Sequence, residues 1–146
     1  LAITTDLELI QQSQEWLREV QVIPDNKLSE SQQVHLDLAR SIVFTAFKGP
    51  RPGAVHAATI PPASDRVRTA GLYSRVTKET YISAEQLMSG RSTVDTAIHE
   101  LAHHNSGAED GQVAHNEELT RLAGQVVELT SQRRFDKIVS QKGFRW

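Results

Sequence analysis

In the run His99-Glu100-Leu101-Ala102-His103, two histidines stand four residues apart with a glutamate directly after the first. On an α-helix with 3.6 residues per turn, positions four apart share a face, so both imidazoles reach one metal ion. Glu100 is one step round the helix, where its carboxylate reaches the remaining coordination position. Such a constellation activates water: zinc held by imidazoles brings the pKa of a bound water to about 7, and the neighbouring carboxylate takes the proton as general base. With no cysteine in the chain, thiolate ligation is excluded and so are disulfides.

The motif needs a helix beneath it. Ser92-Thr93-Val94-Asp95 reads as a capping-box start, Val94, Ile98, Leu101 and Ala102 form an apolar stripe, and no proline intervenes before Gly107. Catalytic zinc takes three protein ligands, so a third must follow Gly107, from Glu109, Asp110, His115, Glu117 or Glu118. Residues Gln112 to Arg134 form a second helical pattern with Leu119, Leu122, Val126 and Leu129 inward. One turn back from Leu119 lies His115, facing inward; Glu118 sits at the margin of the stripe and Glu117 points away. Periodicity therefore ranks His115 first, Glu118 second and Asp110 third. Asp110 or Glu109 would otherwise accept the free N–H of a zinc-bound histidine, or lie in water as a loop acid. His104 points about 100° from His103, toward solvent or a supporting contact. For an oxyanion stabiliser, Tyr73, Tyr81 and His56 are the available side chains, none with a positional argument.

Thr96, Ala97, Leu101, Ala102 and His104 around the two histidines make this segment similar to the motif helix of the zincin metallopeptidases. Ser106 and Glu109 occupy the metzincin glycine and third-ligand positions, which sets the chain apart from that group. A histidine twelve residues after His103, opening the next helix, resembles the SprT-like metallopeptidases over roughly residues 79 to 130. Asn105, Asn116 and Leu119 differ from the residues usual at those places. The resemblance implies a zinc-dependent peptidase acting on a peptide or protein substrate, with His99, His103 and His115 as ligands and Glu100 as base. Small gluzincins are the competing resemblance, and they would make Glu118 the third ligand. A different class of function is a zincin-fold module that keeps zinc without cleaving and serves a regulatory or protein-binding role. Glu100 argues against it, since a structural zinc site has no use for a base.

At 146 residues, 38 % of them hydrophobic, the chain is expected to form one globular domain over 1–146. Leu1 in the first position makes a piece excised from a longer protein, with a neighbouring domain, part of that expectation. A net charge of −2 offers no global attraction to nucleic acid or an anionic membrane. The tail after Ser131 is locally basic, with Arg133, Arg134, Lys137, Lys142 and Arg145 among Phe135, Phe144 and Trp146. Docking of those aromatics on the domain is expected ahead of nucleic-acid contact. No apolar run approaches the roughly eighteen residues of a membrane span and no secretory signal opens the chain, which leaves a cytoplasmic location as the default.

The elements that must position the motif read as α+β. Asp6 to Val22 forms a first helix, and a second opens at Ser29 with Gln32 as its capping-box partner and runs to the breaker Gly49-Pro50. Three strands follow, Val55 to Ile60, Thr69 to Arg75 and Glu79 to Ser83, around a loop at Pro61 to Arg66. The expectation is a minimal zincin-like domain: two N-terminal helices, a three-stranded sheet, the motif helix and a ligand-bearing helix. Thr80-Tyr81-Ile82-Ser83 belongs to that sheet, either as the edge that takes up an extended peptide or as an interior strand.

Overall fold

The computed structural model describes residues 19–62 and 68–146. The segment Gln21–Ile23 is a strand, β1, and not the end of the helix expected over Asp6 to Val22; the part of that expectation up to residue 18 lies outside the described residues. Val20 keeps helical spacing with Trp16 and Leu17, but Val20, Val22 and Ile23 are also β-branched residues that stop at Pro24, and pairing with a neighbouring strand decides the outcome. The other strands are β2 (Val55–Thr59), β3 (Gly71–Tyr73) and β4 (Thr80–Ser83). The sheet thus has four strands where three were expected, in the order β1-β2-β4-β3. The pairs β1/β2 and β3/β4 are antiparallel and β2/β4 is parallel, with Val55 opposite Thr80 and Ala57 opposite Ile82.

Helix α1 (Glu30–Ala46) starts at the expected capping box: Ser29 accepts from the Gln32 amide and the Gln32 side chain accepts from the Ser29 amide. Helix α2 (Gly90–Ser106) carries the motif and begins a few residues before the expected Ser92 start. Ser89 is its N-cap, accepting from the Ser92 amide, while the Ser92 hydroxyl reaches back to the Gln86 carbonyl in the preceding 3-10 turn Ala84–Met88. Capping by Ser89 wins because Gly90 follows without a side chain where the C-terminal tail crosses. A Cβ there would meet Phe144 at 2.8 Å and Trp146 at 3.0 Å. Helix α2 ends at Gly107, whose left-handed φ of 68° lets its N–H reach the His103 carbonyl. Helix α3 (Val113–Ser131) and the short α4 (Asp136–Val139) complete the chain.

The three long helices and one face of the sheet enclose the core. Leu36, Leu38, Ile42 and Val43 of α1 meet Ala97, Leu101 and Ala102 of α2, Leu122 and Val126 of α3, and Val55, Ala57 and Ile82 of the sheet. The tail docks on this body through buried Phe135 and through His35, whose Nδ1 donates to the Leu87 carbonyl and whose Nε2 accepts from the Arg145 amide. Phe144 packs edge-on against the same imidazole. No helix among the described residues is long and apolar enough to cross a membrane.

Candidate metal centre

The helical hairpin α2–α3 brings together His99, His103, Asp110 and His115, each offering one ligand atom within 4.8 Å of the others. His99 and His103 share a face of α2; the loop after Gly107 supplies Asp110; the first turn of α3 supplies His115, which is fully buried as its place on the apolar stripe requires. Two of the rings are fixed by carbonyls. His103 Nδ1 donates to the Ala108 oxygen at 2.8 Å and His115 Nε2 to the His99 oxygen at 3.1 Å, so each neutral ring keeps one lone-pair nitrogen. The rings of His103 and His115 stack with centroids 4.1 Å apart, and His99 packs edge-on to both.

One contact demands a cation. Nδ1 of His103 is committed as a donor, so in the neutral ring Nε2 is an acceptor, yet it faces Asp110 Oδ1 at 2.8 Å. Burial lowers the His103 pKa and favours that neutral form. Two acceptors at this distance repel unless a proton or a metal ion lies between them. The same Oδ1 is 2.9 Å from His99 Nε2. Burial raises the Asp110 pKa, but the neighbouring His103 and His99 outweigh it, and the carboxylate stays below its usual range. Three imidazoles and one carboxylate are a donor set that suits zinc, so the residues present fit that ion.

Glu100 borders this cluster without joining it. Its side chain is buried, its carboxylate is 4.0 Å from His99 Nε2, and no hydrogen bond reaches it from any other described residue. Burial, aided by the negative charge of Asp110, pushes its pKa up to about 8. The carboxyl lines two adjoining clefts, one of about 410 Å³ with Gln86, Thr96 and His99, the other of about 320 Å³ with Tyr73, His103 and Asp110.

Strand β3 runs along both clefts and forms one edge of the described sheet, β1 forming the other; Thr80–Ser83, the strand considered for an edge, is interior, flanked by β2 and β3. Ser83 donates to the Ala70 carbonyl and Ser74 to the Glu79 carbonyl. Antiparallel alternation then turns the backbone groups of Leu72 toward β4 and those of Gly71 and Tyr73 outward. Gly71 makes the close approach possible: a Cβ there would lie 2.7 Å from Thr96 Cγ2 and 3.2 Å from Glu100 Cγ. A glycine inside a strand pattern signals this kind of backbone contact, and Gly71 was legible on that ground.

Of the three oxyanion candidates, Tyr73 borders the cleft shared by Glu100 and His103. Its hydroxyl donates to His104 Nδ1 at 2.6 Å, since His104 Nε2 is occupied donating to the Pro50 carbonyl, and His104 is thereby a supporting residue. His56 and Tyr81 point to the other face of the sheet, where both bond to Glu79. Glu118 also lies apart from the cluster. Its carboxylate takes hydrogen bonds from Arg121 and Asn105 and an ion pair from Lys48, and the Arg121 bonds keep its pKa below the usual range. Glu109 pairs with Arg75, and Glu117 is exposed. Comparisons with protein-family models, with curated proteins and with solved structures found no match for this chain.

Proposed function

We propose that the chain is a zinc-dependent peptidase of the zincin type, with His99, His103 and His115 holding the ion and Glu100 serving as general base. The observation that carries this reading is Glu100: its largely buried side chain takes no hydrogen bond from another described residue, lines both clefts, is raised in pKa and stands 4.0 Å from a ligating nitrogen, a placement for chemistry rather than for packing. Bound zinc would supply Lewis acidity and a water acidic enough to lose its proton near neutral pH. Glu100 accepts that proton and can deliver it to the leaving amine, its carboxyl kept in the ionised, proton-accepting form by the neighbouring cation. The outward backbone groups of Gly71 and Tyr73 hold an extended polypeptide by strand addition, which lays a peptide bond across the cleft where Glu100 sits. The Tyr73 hydroxyl, pivoting from His104, is the nearest side-chain donor for an oxyanion. His115 on the second helix supports the SprT-like comparison over the gluzincin one, because Glu118 is already engaged by Arg121 and Asn105.

One observation favours the second reading, a zinc module without activity: Asp110 gives the cluster a fourth protein ligand atom, as in closed structural sites. Metal analysis after zinc reconstitution, with cleavage of an unfolded protein by the wild type and Glu100→Gln, separates the two. The peptidase reading expects about one zinc per chain in both proteins and cleavage by the wild type alone. Zinc without cleavage leaves the module; no zinc in either removes both.

A further inference from the structure

We propose that Asp110 is a displaceable fourth ligand: its Oδ1 completes the resting coordination of the metal, and the loop carrying it must release it before water and a substrate carbonyl enter. This rests on the metal-centre part of the proposed function. Oδ1 lies 2.8 Å from His103 Nε2 and 2.9 Å from His99 Nε2, so one oxygen sits where both ligand nitrogens converge. An acid that only steadied a histidine would bond the ring nitrogen facing away from the metal; for His103 that nitrogen is taken by the Ala108 carbonyl.

The loop is built to move. Asp110 has 73 % of its side chain exposed, unlike the buried His115 across the cluster. Gly107 and Gly111 bracket it, both with positive φ, at 68° and 80°, and neither has an atom within 4 Å of where a Cβ would stand. The space beside both glycines is thus open, and their left-handed conformations are ones that glycine adopts freely. Arg75 holds the loop in its resting place, donating to the Gly107 carbonyl at 2.8 Å and pairing with Glu109 at 2.8 Å. Arg75 lies two residues beyond β3, and it lines the same cleft as Tyr73 and Asp110. A polypeptide added to β3 thus runs past the tether that keeps Asp110 on the metal.

The test reads coordination directly. Cobalt(II)-substituted wild type, Asp110→Ala and Asp110→Asn are titrated with azide and followed by visible absorption, with His103→Ala as the control that loses the metal. Removing the fourth ligand opens a position, so both Asp110 variants should bind azide at least about tenfold more tightly than the wild type. Because Asp110 is a surface loop residue, both variants are expected to fold, and far-ultraviolet circular dichroism checks this. Equal azide affinity in wild type and Asp110→Ala overturns the proposal, as does a wild type that takes up no cobalt. A cobalt-loaded chain that shows the azide difference yet cleaves no polypeptide supports the displaceable ligand and overturns the peptidase reading alone.

Discussion

Glu100→Gln in the metal-free protein should change the way stability depends on pH. The carboxyl titrates near 4.5 when exposed and is pushed up to about 8 in the fold. Between those values the folded state binds a proton that the unfolded state has lost, so the wild type is progressively destabilised as pH rises from about 4.5 to about 8, and the full loss persists above that. A shift of this size corresponds to a ceiling on the order of 5 kcal/mol. Relaxation of the site and entry of water will reduce it, and about half is the working expectation. Glutamine carries no charge to desolvate, so the variant should match the wild type near about pH 5 and exceed it by about 2 to 3 kcal/mol near about pH 9. Urea unfolding of both proteins across that range, with chelator present, measures the difference; titrating groups that do not couple to Glu100 cancel in the subtraction, and Asp110 is the neighbour whose charge does couple. Added zinc should erase the effect, because a cation beside Glu100 stabilises its charged form. Parallel profiles for the two proteins without metal would refute the burial argument, and with it the reason for treating Glu100 as a tuned base.

The two candidates on α3 should separate cleanly. His115→Ala should weaken zinc binding by more than about 100-fold in a chelator competition, whereas Glu118→Ala should leave affinity within about tenfold. Because Glu118→Ala strands Arg121 and Asn105, its cost should appear as about 1 to 3 kcal/mol of stability in urea unfolding. Gly71→Ala places a methyl against Thr96 and Glu100, so it should cost about 1 to 3 kcal/mol and depress polypeptide cleavage while metal content is unchanged. Full activity and stability in that variant would show that the edge strand can retreat without consequence.

Local pattern carried the helices well and the sheet less so. The Ser29 capping box, the Gly107 stop and the inward place of His115 depend on neighbours within one or two turns, and all three are as the residues imply. The strand at Gln21–Ile23 depends on Ala57–Thr59, far along the chain, and Val20 suits either period, helical with Trp16 and Leu17 and alternating with Val22. For the same reason β4 could not be ranked as edge or interior: β3 precedes it by a short hairpin, and only the parallel pairing with β2 encloses it. Asp110 ranked third because it lies in a loop, where periodicity has no purchase. Its approach to both motif histidines depends on the turn that two glycines permit.

The four converging ligands all come from residues 99 to 115, two adjoining helices and the loop between them. Closing a loop of that length costs little chain entropy, while the sheet needs pairings across most of the domain. The hairpin can therefore assemble early in folding and hold an ion before β3 has arrived. What β3 adds is a backbone wall beside Glu100, where Gly71 passes so close that a Cβ would lie 3.2 Å from the Glu100 Cγ. On the proposed reading, metal capture and burial of the base would mature at different stages, and a partly folded chain that already chelates would still lack the buried carboxyl.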